Sequence, residues 1–264
     1  MSLPHASEIV PSLLAARRQA GRLLVGLDFD GTLTAIVDRP EDARLTSDTR
    51  VVLARLAERS DTCVAILSGR ALDDVRDRVG IPGLYYAGNH GLEIAGPKLE
   101  CMHPAALAAL PELRAAAAEL QQRLREVPGA MVEDKGVTLS VHYRMVAPAA
   151  RSAVRDVALR SVSMRPGIRV TQGKMVVELR PDVEWHKGTA LAFIRRSLPA
   201  GEAALAVFLG DDRTDEDAFR ALGPEDWGVL VAATPPPRTA ARSFLADPQE
   251  VVAFLRALLQ APGG

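Results

Sequence analysis

Two carboxylates stand two residues apart in Gly26-Leu27-Asp28-Phe29-Asp30-Gly31-Thr32-Leu33-Thr34. The apolar run Leu23-Leu24-Val25 before them reads as a buried strand, and Gly31-Thr32 as the turn that ends it. Alternate side chains of an extended segment share a side, so Asp28 and Asp30 face one small volume. Carboxylates that close repel unless a cation neutralises them or one keeps a proton. Either solution is useful chemistry. An Asp beside a divalent metal can attack phosphorus, and a neighbouring Asp can shuttle a proton. The plain alternative is a surface turn, where Asp, Gly and Thr are common.

A second acidic cluster follows another apolar strand. In Gly210-Asp211-Asp212-Arg213-Thr214-Asp215-Glu216-Asp217, five of the seven positions from 211 to 217 are acidic. Hard oxygen ligands of this kind suit Mg²⁺, which keeps several waters and takes few carboxylates. Asp211 is the first candidate ligand, and Asp215 either binds or supports. Asp212, Glu216 and Asp217 read equally as an acidic cap at a helix start. Ser68 ends a strand before a helix, where its hydroxyl and nearby N–H groups suit a phosphate oxygen or a plain cap. Lys187 stands at a helix start, against the helix dipole, a placement explained if its ammonium faces a phosphoryl group or Asp28. Asn89 and His90 lie among glycines in Gly88-Asn89-His90-Gly91 and suit sugar hydroxyls or a structural role. His142, in a strand, reads as structural. Glu133, Lys135, Arg144, Lys174 and Glu178 lie on predicted strands or their turns. Glu133 and Lys135 share a face, so the set is either a grip for a polyhydroxylated anion or a solvated sheet face.

The elements that must position these groups alternate. Strands are expected at 23–25, 62–67, 84–87, 204–209 and 227–231, with helices at 47–59, 71–79, 187–198, 215–222 and 248–259. That order predicts an α/β protein, a parallel sheet with helices on both faces. Ligands of such sheets bind beyond the carboxyl ends of the strands, where the polar motifs fall. The middle changes character. Helices at 105–127 and 148–162 alternate with strand pairs at 130–135 and 137–143, and at 168–172 and 175–179. The α-β-β-α-β-β order predicts an inserted α+β domain over 104–181, leaving 1–103 and 182–264 as a discontinuous core.

Bulk properties exclude other classes. At 264 residues the chain can bury a sizeable core, and a net charge of −1 argues against nucleic acid or an anionic membrane as partner. Aromatics are sparse, and no apolar stretch is long enough to span a bilayer. Cys63 and Cys101 have no metal spacing, and Cys63 reads as a small core residue. The N-terminus lacks the apolar stretch of a signal peptide, so a reducing cytoplasm is expected.

Together the motifs resemble those of the haloacid-dehalogenase-like phosphatases. Asp28-x-Asp30-Gly-Thr, Ser68, Lys187 and Gly210-Asp211-x-x-x-Asp215 match that superfamily's four motifs in order. The insert resembles its C2-type cap on a Rossmann-like core. More narrowly the chain is similar to trehalose-6-phosphate phosphatases, through Leu27 to Leu33, Leu67-Ser68-Gly69-Arg70, Gly88-Asn89-His90-Gly91, Val176-Val177-Glu178-Leu179-Arg180-Pro181 and Gly210 to Asp217. The resemblance covers about residues 20–260, without a departure at a catalytic position. It implies an enzyme in which Asp28 attacks phosphorus and Asp30 moves the proton. It implies Mg²⁺ on Asp28, the Asp30 carbonyl and Asp211, with Asp215 supporting, and Ser68 and Lys187 on the transferring oxygens. Gly69, Arg70, Asn89, His90, Glu133, Lys135, Arg144, Lys174 and Glu178 are its implied substrate-binding residues. Trehalose 6-phosphate is the implied substrate, and functional coupling to a trehalose-phosphate synthase the implied partnership. Some relatives are fused to a synthase domain, for which this chain is too short. Phosphatases or phosphomutases of sucrose, mannosyl or hexose phosphates share the core motifs. A non-catalytic sensor is the remaining alternative, and the presence of Asp28, Asp30, Ser68, Lys187, Asp211 and Asp215 argues against it.

Overall fold

The computed structural model describes residues 3–37, 39–198 and 204–260. The chain divides into two compact units, Met1–Cys101 with Trp185–Gly264, and Met102–Glu184. The first unit begins with α1 (Ala6–Ala20), β1 (Arg22–Leu27), α2 (Ser47–Ala57), β2 (Thr62–Leu67), α3 (Leu72–Val79), β3 (Tyr85–Gly88), β4 (Glu93–Gly96) and β5 (Leu99–Met102). The second unit contains α4 (Pro104–Leu124), β6 (Met131–Asp134), β7 (Leu139–His142), α5 (Arg151–Ser163), β8 (Ile168–Gly173) and β9 (Val176–Pro181). The first unit resumes with α6 (Lys187–Ser197), β10 (Ala204–Gly210), α7 (Asp215–Ala221), β11 (Trp227–Val231), β12 (Ser243–Leu245) and α8 (Pro248–Leu259).

The eight-stranded sheet has the order β12-β11-β10-β1-β2-β3-β4-β5. Six strands, β12 through β3, pair in parallel, and β4 turns back antiparallel on β3. From β1 the chain moves outward in one direction, through β2 and β3. After the second unit it returns to the other side of β1 as β10 and moves outward the opposite way. This reversal makes the β1/β10 boundary the switch point of the sheet, where a crevice opens beyond the strand ends.

Burial on both faces explains the unbroken apolar runs. Leu23, Val25 and Leu27 of β1 pack into a core with Val52, Leu53 and Leu56 of α2 and Val251, Leu255 and Leu258 of α8. Leu24 turns to the other side, against Ala190, Leu191 and Ile194 of α6 and Phe219 of α7. The helices are stopped and started by local chemistry. Thr46 caps α2 through the Thr49 N–H at 3.1 Å, and Asp247 caps α8 through Gln249 and Glu250 at 2.8 and 3.0 Å.

In the second unit the sheet order is β6-β7-β9-β8. Leu139, Val141, Val177 and Leu179 pack with Leu113, Leu120, Val154 and Ala158 of the two helices. The alternate positions therefore form the opposite, polar face. Among the described residues no helix is long and apolar enough to cross a membrane.

Three features have no counterpart in the sequence reading: α1, the β4 and β5 strands, and β12. The helix α1 carries Pro11 inside it and owes its place to tertiary contacts. Its Arg17 is buried, donating to the Leu258 carbonyl at 2.9 Å and the Thr62 hydroxyl at 2.8 Å, and pairing with Asp61 at 2.7 Å. At three residues, β12 is too short to show a period. Its edge is taken up by Pro4, whose carbonyl accepts the Phe244 N–H at 3.1 Å.

In the Arg17–Asp61 contact the arginine is buried and the aspartate partly exposed, and removing Asp61 strands a buried guanidinium. Asp61→Ala is expected to lower unfolding stability by ~3 kcal/mol in urea titrations. Hydrogen bonding from Arg59, with Arg17 nearby, holds the Asp61 carboxyl down at about 2. This contribution is therefore complete above about pH 4 and is lost as pH falls through about 2. An Asp61→Ala variant as stable as wild type at neutral pH would refute the argument.

Candidate active site

The first motif is built at the switch point. The Asp28 N–H donates to the Leu209 carbonyl at 2.9 Å, extending the ladder between β1 and β10 by one rung. Asp28 thus leaves β1 beside Gly210 and Asp211, where β10 ends. The chain turns at Gly31, which has φ +89°. A Cβ at Gly31 would lie 2.1 Å from Asp211 Oδ2. Glycine here meets both the left-handed backbone and the close approach of the second acidic cluster.

Carboxylate oxygens of Asp28, Asp211 and Asp215 lie within 4.8 Å of one another. Lys187 joins two of them, its ammonium 2.6 Å from Asp28 Oδ1 and 2.7 Å from Asp215 Oδ1. Asp28 is 4% exposed, Lys187 2% and Asp215 0%. Burial drives the Asp28 carboxyl well above the usual range against the pull of Lys187, and Asp215 and Asp211 push it further. Burial, with Asp212 and Asp215 nearby, pushes Asp211 up to about 7. For Lys187 burial acts the other way, but Asp215, Asp28 and Asp212 outweigh it and hold the ammonium charged. Asp215 Oδ2 also accepts the N–H groups of Asp211 at 3.0 Å and Asp212 at 3.1 Å. It therefore shapes the acidic turn while pairing with Lys187. Asp28 Oδ2, in contrast, is buried with no hydrogen-bond partner. A cluster of hard oxygens with one such orphan fits a divalent cation.

The outer acidic residues serve the turn and its helix. Asp212 Oδ1 accepts from the Thr214 N–H and hydroxyl at 2.8 and 2.7 Å. Glu216 accepts from the Ala240 N–H at 2.8 Å, and Asp217 pairs with Arg220 at 2.9 Å.

Ser68 ends β2 and is 1% exposed. Its hydroxyl accepts the Arg70 N–H at 3.1 Å and keeps its own proton to give. The N-cap of α3 is Ala71, so Ser68 is not that helix's cap. The Gly88–Gly91 loop clamps this segment. His90 N–H donates to the Ser68 carbonyl at 2.9 Å, and Asn89 N–H to the Arg70 carbonyl at 2.7 Å. Asn89 and His90 both hold left-handed backbone, at φ 51° and 58°, a strain that side chains with a Cβ rarely carry. Any side chain at Gly69 would collide with the His90 ring, 2.8 Å from where its Cβ would sit.

Arg70, expected as a substrate contact, meets Asp30 in this structure. Its guanidinium grips Asp30 with both forks, Nε to Oδ2 at 2.7 Å and Nη2 to Oδ1 at 2.6 Å. The remaining nitrogen donates to Asp74 at 2.9 Å, and the group lies over the Phe29 ring at 5.4 Å. A planar fork matches a carboxylate in this way and leaves little capacity for a further anion. Asp30 is thereby fixed in orientation while its side chain stays 42% exposed.

In the second unit, the strand register aligns Glu133, Ser140, Glu178 and Thr171 in one row across all four strands. Lys135 lies 3.7 Å from Glu178 and 4.0 Å from Glu133, and His142 Nε2 is 2.8 Å from Glu133. Arg144 and Lys174 are exposed in the loops after β7 and between β8 and β9. These loops meet where the Tyr143 N–H donates to the Met175 carbonyl at 3.1 Å. Sequence reasoning passed over Ser140, Thr171 and Arg169, and used Arg180 only as part of the Val176–Pro181 string. Arg169 and Arg180 stand directly opposite each other on β8 and β9. Only the register shows that they share the polar face, because each taken alone is an ordinary strand residue.

A family model described as trehalose-phosphatase matches residues 26–249. A trehalose-phosphate phosphatase of Mycobacterium marinum is 45% identical over 236 residues, covering 86% of this chain and 59% of its own length. One of Mycobacterium tuberculosis is 44% identical over 260 residues, covering 94% of this chain and 64% of its own. The chain therefore spans about three-fifths of the length of these relatives. Among solved structures, the Candida albicans trehalose-6-phosphate phosphatase C-terminal domain has a TM-score of 0.77 at 23% identity, covering 98% of this chain and 99% of that one.

The electrostatics of the cluster make a prediction about cations. Carboxyls whose folded pKa is raised favour their protonated form. Without a cation, stability should fall as pH rises from about 4 through about 7. Cation binding requires those protons to leave. Mg²⁺ is therefore expected to raise the melting temperature more at pH 8 than at pH 6, measured by calorimetry. An equal rise at both pH values, or none, would count against a carboxylate cation site.

Proposed function

The chain belongs to the trehalose-phosphatase family, and from that premise we propose that it hydrolyses trehalose 6-phosphate to trehalose and phosphate. The observation that carries the chemistry is Asp28. One of its oxygens is held by Lys187 and the other is buried without a partner, at the mouth of the sheet's switch point. A carboxylate so fixed and desolvated is prepared to act as a nucleophile.

In this reading Asp28 attacks phosphorus and forms an aspartyl-phosphate. Asp30 gives a proton to the departing sugar oxygen and then takes one from the hydrolytic water. Arg70 orients Asp30 and has to release one of its oxygens before the first transfer, since a carboxylate gripped on both oxygens has no proton to give. The Ser68 hydroxyl and the Lys187 ammonium bind the transferring oxygens. Asp28, the backbone carbonyl of Asp30 and Asp211 would hold Mg²⁺, with Asp215 supporting. Bound there, Mg²⁺ supplies charge that screens carboxylate from phosphate and stabilises the equatorial oxygens.

The second unit serves as the family's cap in this reading. Glu133, Lys135 and Glu178 of its polar face, with Arg144 and Lys174, recognise the sugar. Gly69 and His90 line the substrate side of the Ser68 loop, whereas Asn89, expected beside them, is buried and gives its amide N–H to Glu93 at 2.7 Å. The substrate assignment draws its support from the mycobacterial relatives and from this acid-rich, hydroxyl-rich row, whose groups complement sugar hydroxyls. The setting is cytoplasmic, a reducing compartment in which cysteines such as Cys63 and Cys101 remain reduced. Functional coupling to a trehalose-phosphate synthase completes the reading.

Phosphate release with Mg²⁺ should favour trehalose 6-phosphate over glucose 6-phosphate by about 100-fold or more in kcat/KM. Asp28→Asn should abolish turnover, and Asp30→Asn should lower kcat by ~10²–10⁴. Glu178→Ala should raise KM by about tenfold, the cost of one charged hydrogen bond. Equal turnover of sucrose 6-phosphate, or transfer of the phosphoryl group to a second sugar, would overturn the substrate assignment. Activity retained in Asp28→Asn would overturn the nucleophile.

A further inference from the structure

The lysine that joins Asp28 to Asp215 stands at the first position of α6. A cation there faces the positive end of the helix, and this one is also removed from water. Left to itself, such a turn would fray or swing the ammonium outward. The backbone around Lys187 is accordingly held from both sides.

His186 precedes the helix in extended conformation, at φ −152° and ψ 175°. Its Nδ1 accepts the N–H of Gly188 at 3.1 Å and that of Thr189 at 3.4 Å. In return the His186 N–H donates to the Thr189 hydroxyl at 2.9 Å, and that hydroxyl donates to the His186 carbonyl at 2.7 Å. This is a capping box with imidazole in place of the usual short polar side chain. One residue earlier, the Trp185 indole N–H donates to the Gly91 carbonyl at 2.7 Å. Two residues later, a Cβ at Gly188 would lie 2.5 Å from the Asp217 carbonyl oxygen, so α6 starts in close contact with α7. Lys187 is the residue between the two anchors, and its ammonium ends on Asp28 and Asp215.

We propose that His186 is a positioning residue for phosphoryl transfer: its Nδ1 lone pair fixes the first turn of α6 and thereby the direction from which Lys187 meets Asp28. The accepting Nδ1 leaves the ring proton on Nε2, the tautomer these hydrogen bonds require. The role belongs to the acceptor and not to imidazole as such, so a short amide in its place performs it. The inference rests on the proposed function where it is read by turnover, and on structure alone where it is read by the accessibility of Lys187.

The experiment compares wild type, His186→Ala, His186→Gly and His186→Asn. Each is assayed for melting temperature, for phosphate release from trehalose 6-phosphate with Mg²⁺, and for acetylation of Lys187 by acetic anhydride, read by mass spectrometry. His186→Gly removes the acceptor at a smaller cost to the helix than alanine, and it serves should His186→Ala fail to fold. The truncations are expected to lower kcat about tenfold, with KM within about twofold, through misplacement of a reacting-site group. They are also expected to expose Lys187 to acetylation. His186→Asn should restore both kcat and protection. Truncated variants with wild-type kcat and a protected Lys187 would overturn the proposal. So would a His186→Asn protein that melts like wild type yet behaves like the truncations. Should wild type release no phosphate, the functional reading fails by itself. Lys187 acetylation then decides the positioning role alone, and protection unchanged in the truncations overturns it.

Discussion

Three carboxylates converge within 4.8 Å in the crevice beside β1, and one buried ammonium stands among them. Without Lys187, Asp28 and Asp215 would be like charges in a medium that screens poorly. With it, the two are tied to one point, and Asp28 keeps one oxygen buried without a hydrogen-bond partner. A buried ion pair of this kind is weak support for stability, since the desolvation of both partners offsets much of their attraction. Its physical consequence is placement. The lysine comes from α6 and the aspartates from β1 and α7, so three elements far apart in the chain are brought into one register.

The sheet topology follows the same constraint. Parallel strands require crossovers, and crossovers can lead away from the first strand in either direction. Here they go both ways from β1, so the carboxyl ends of β1 and β10 are neighbours despite the long separation in sequence. Each strand end needs a turn that admits the other's side chains. Gly31 supplies one such turn, with room for Asp211, and the Asp215 carboxylate organises the other by accepting two backbone N–H groups. The neighbouring strand β2 delivers Ser68, whose loop is clamped by the strained Asn89 and His90 backbone. Strain stored beside a convergence of charges is the pattern expected where the surrounding structure over-determines a site.

How much of this was readable from the sequence depended on whether the physics was local. The strands announced themselves as apolar runs because both faces are covered, and acidic turns directly after them marked Asp28, Asp30, Asp211 and Asp215. Lys187 stood out because a helix start disfavours it. The grip of Arg70 on Asp30 was not readable, since a contact across forty residues leaves no trace in local periodicity. Nor was the opposition of Arg169 and Arg180, which exists only once β8 and β9 are in register. The helix α1 packs Ala6, Ile9, Val10, Leu13, Ala16 and Ala20 on the core at helical spacing, but Pro11 inside it and a buried Arg17 reaching Asp61, Thr62 and Leu258 break the pattern that the sequence shows. Asp212 and Asp217 were ambiguous between ligand and cap because both roles select a carboxylate at a helix start. Only their partners, Thr214 and Arg220, separate the two.

The division of the chain into two units bears on how a phosphatase of this family would choose its substrate. The groups gathered at the switch point are carboxylates, a lysine and a hydroxyl. Their complement is a phosphoryl group and a cation, which every phosphate monoester and its metal can provide. Such a site discriminates poorly between leaving groups, because nothing in it is left unsatisfied when the sugar changes. The polar face of the second unit is different in kind. Glu133, Ser140, Glu178 and Thr171 form a continuous row of acceptors and hydroxyls at strand spacing, flanked by Lys135, Arg169 and Arg180. A ligand lacking the matching hydroxyls would leave part of the hydrogen-bonding capacity of these groups unmet, and that penalty, unlike a missing apolar contact, is large enough to reject close analogues. Selectivity among sugar phosphates would therefore be written in the second unit's register, while the reactivity would belong to the crevice of the first.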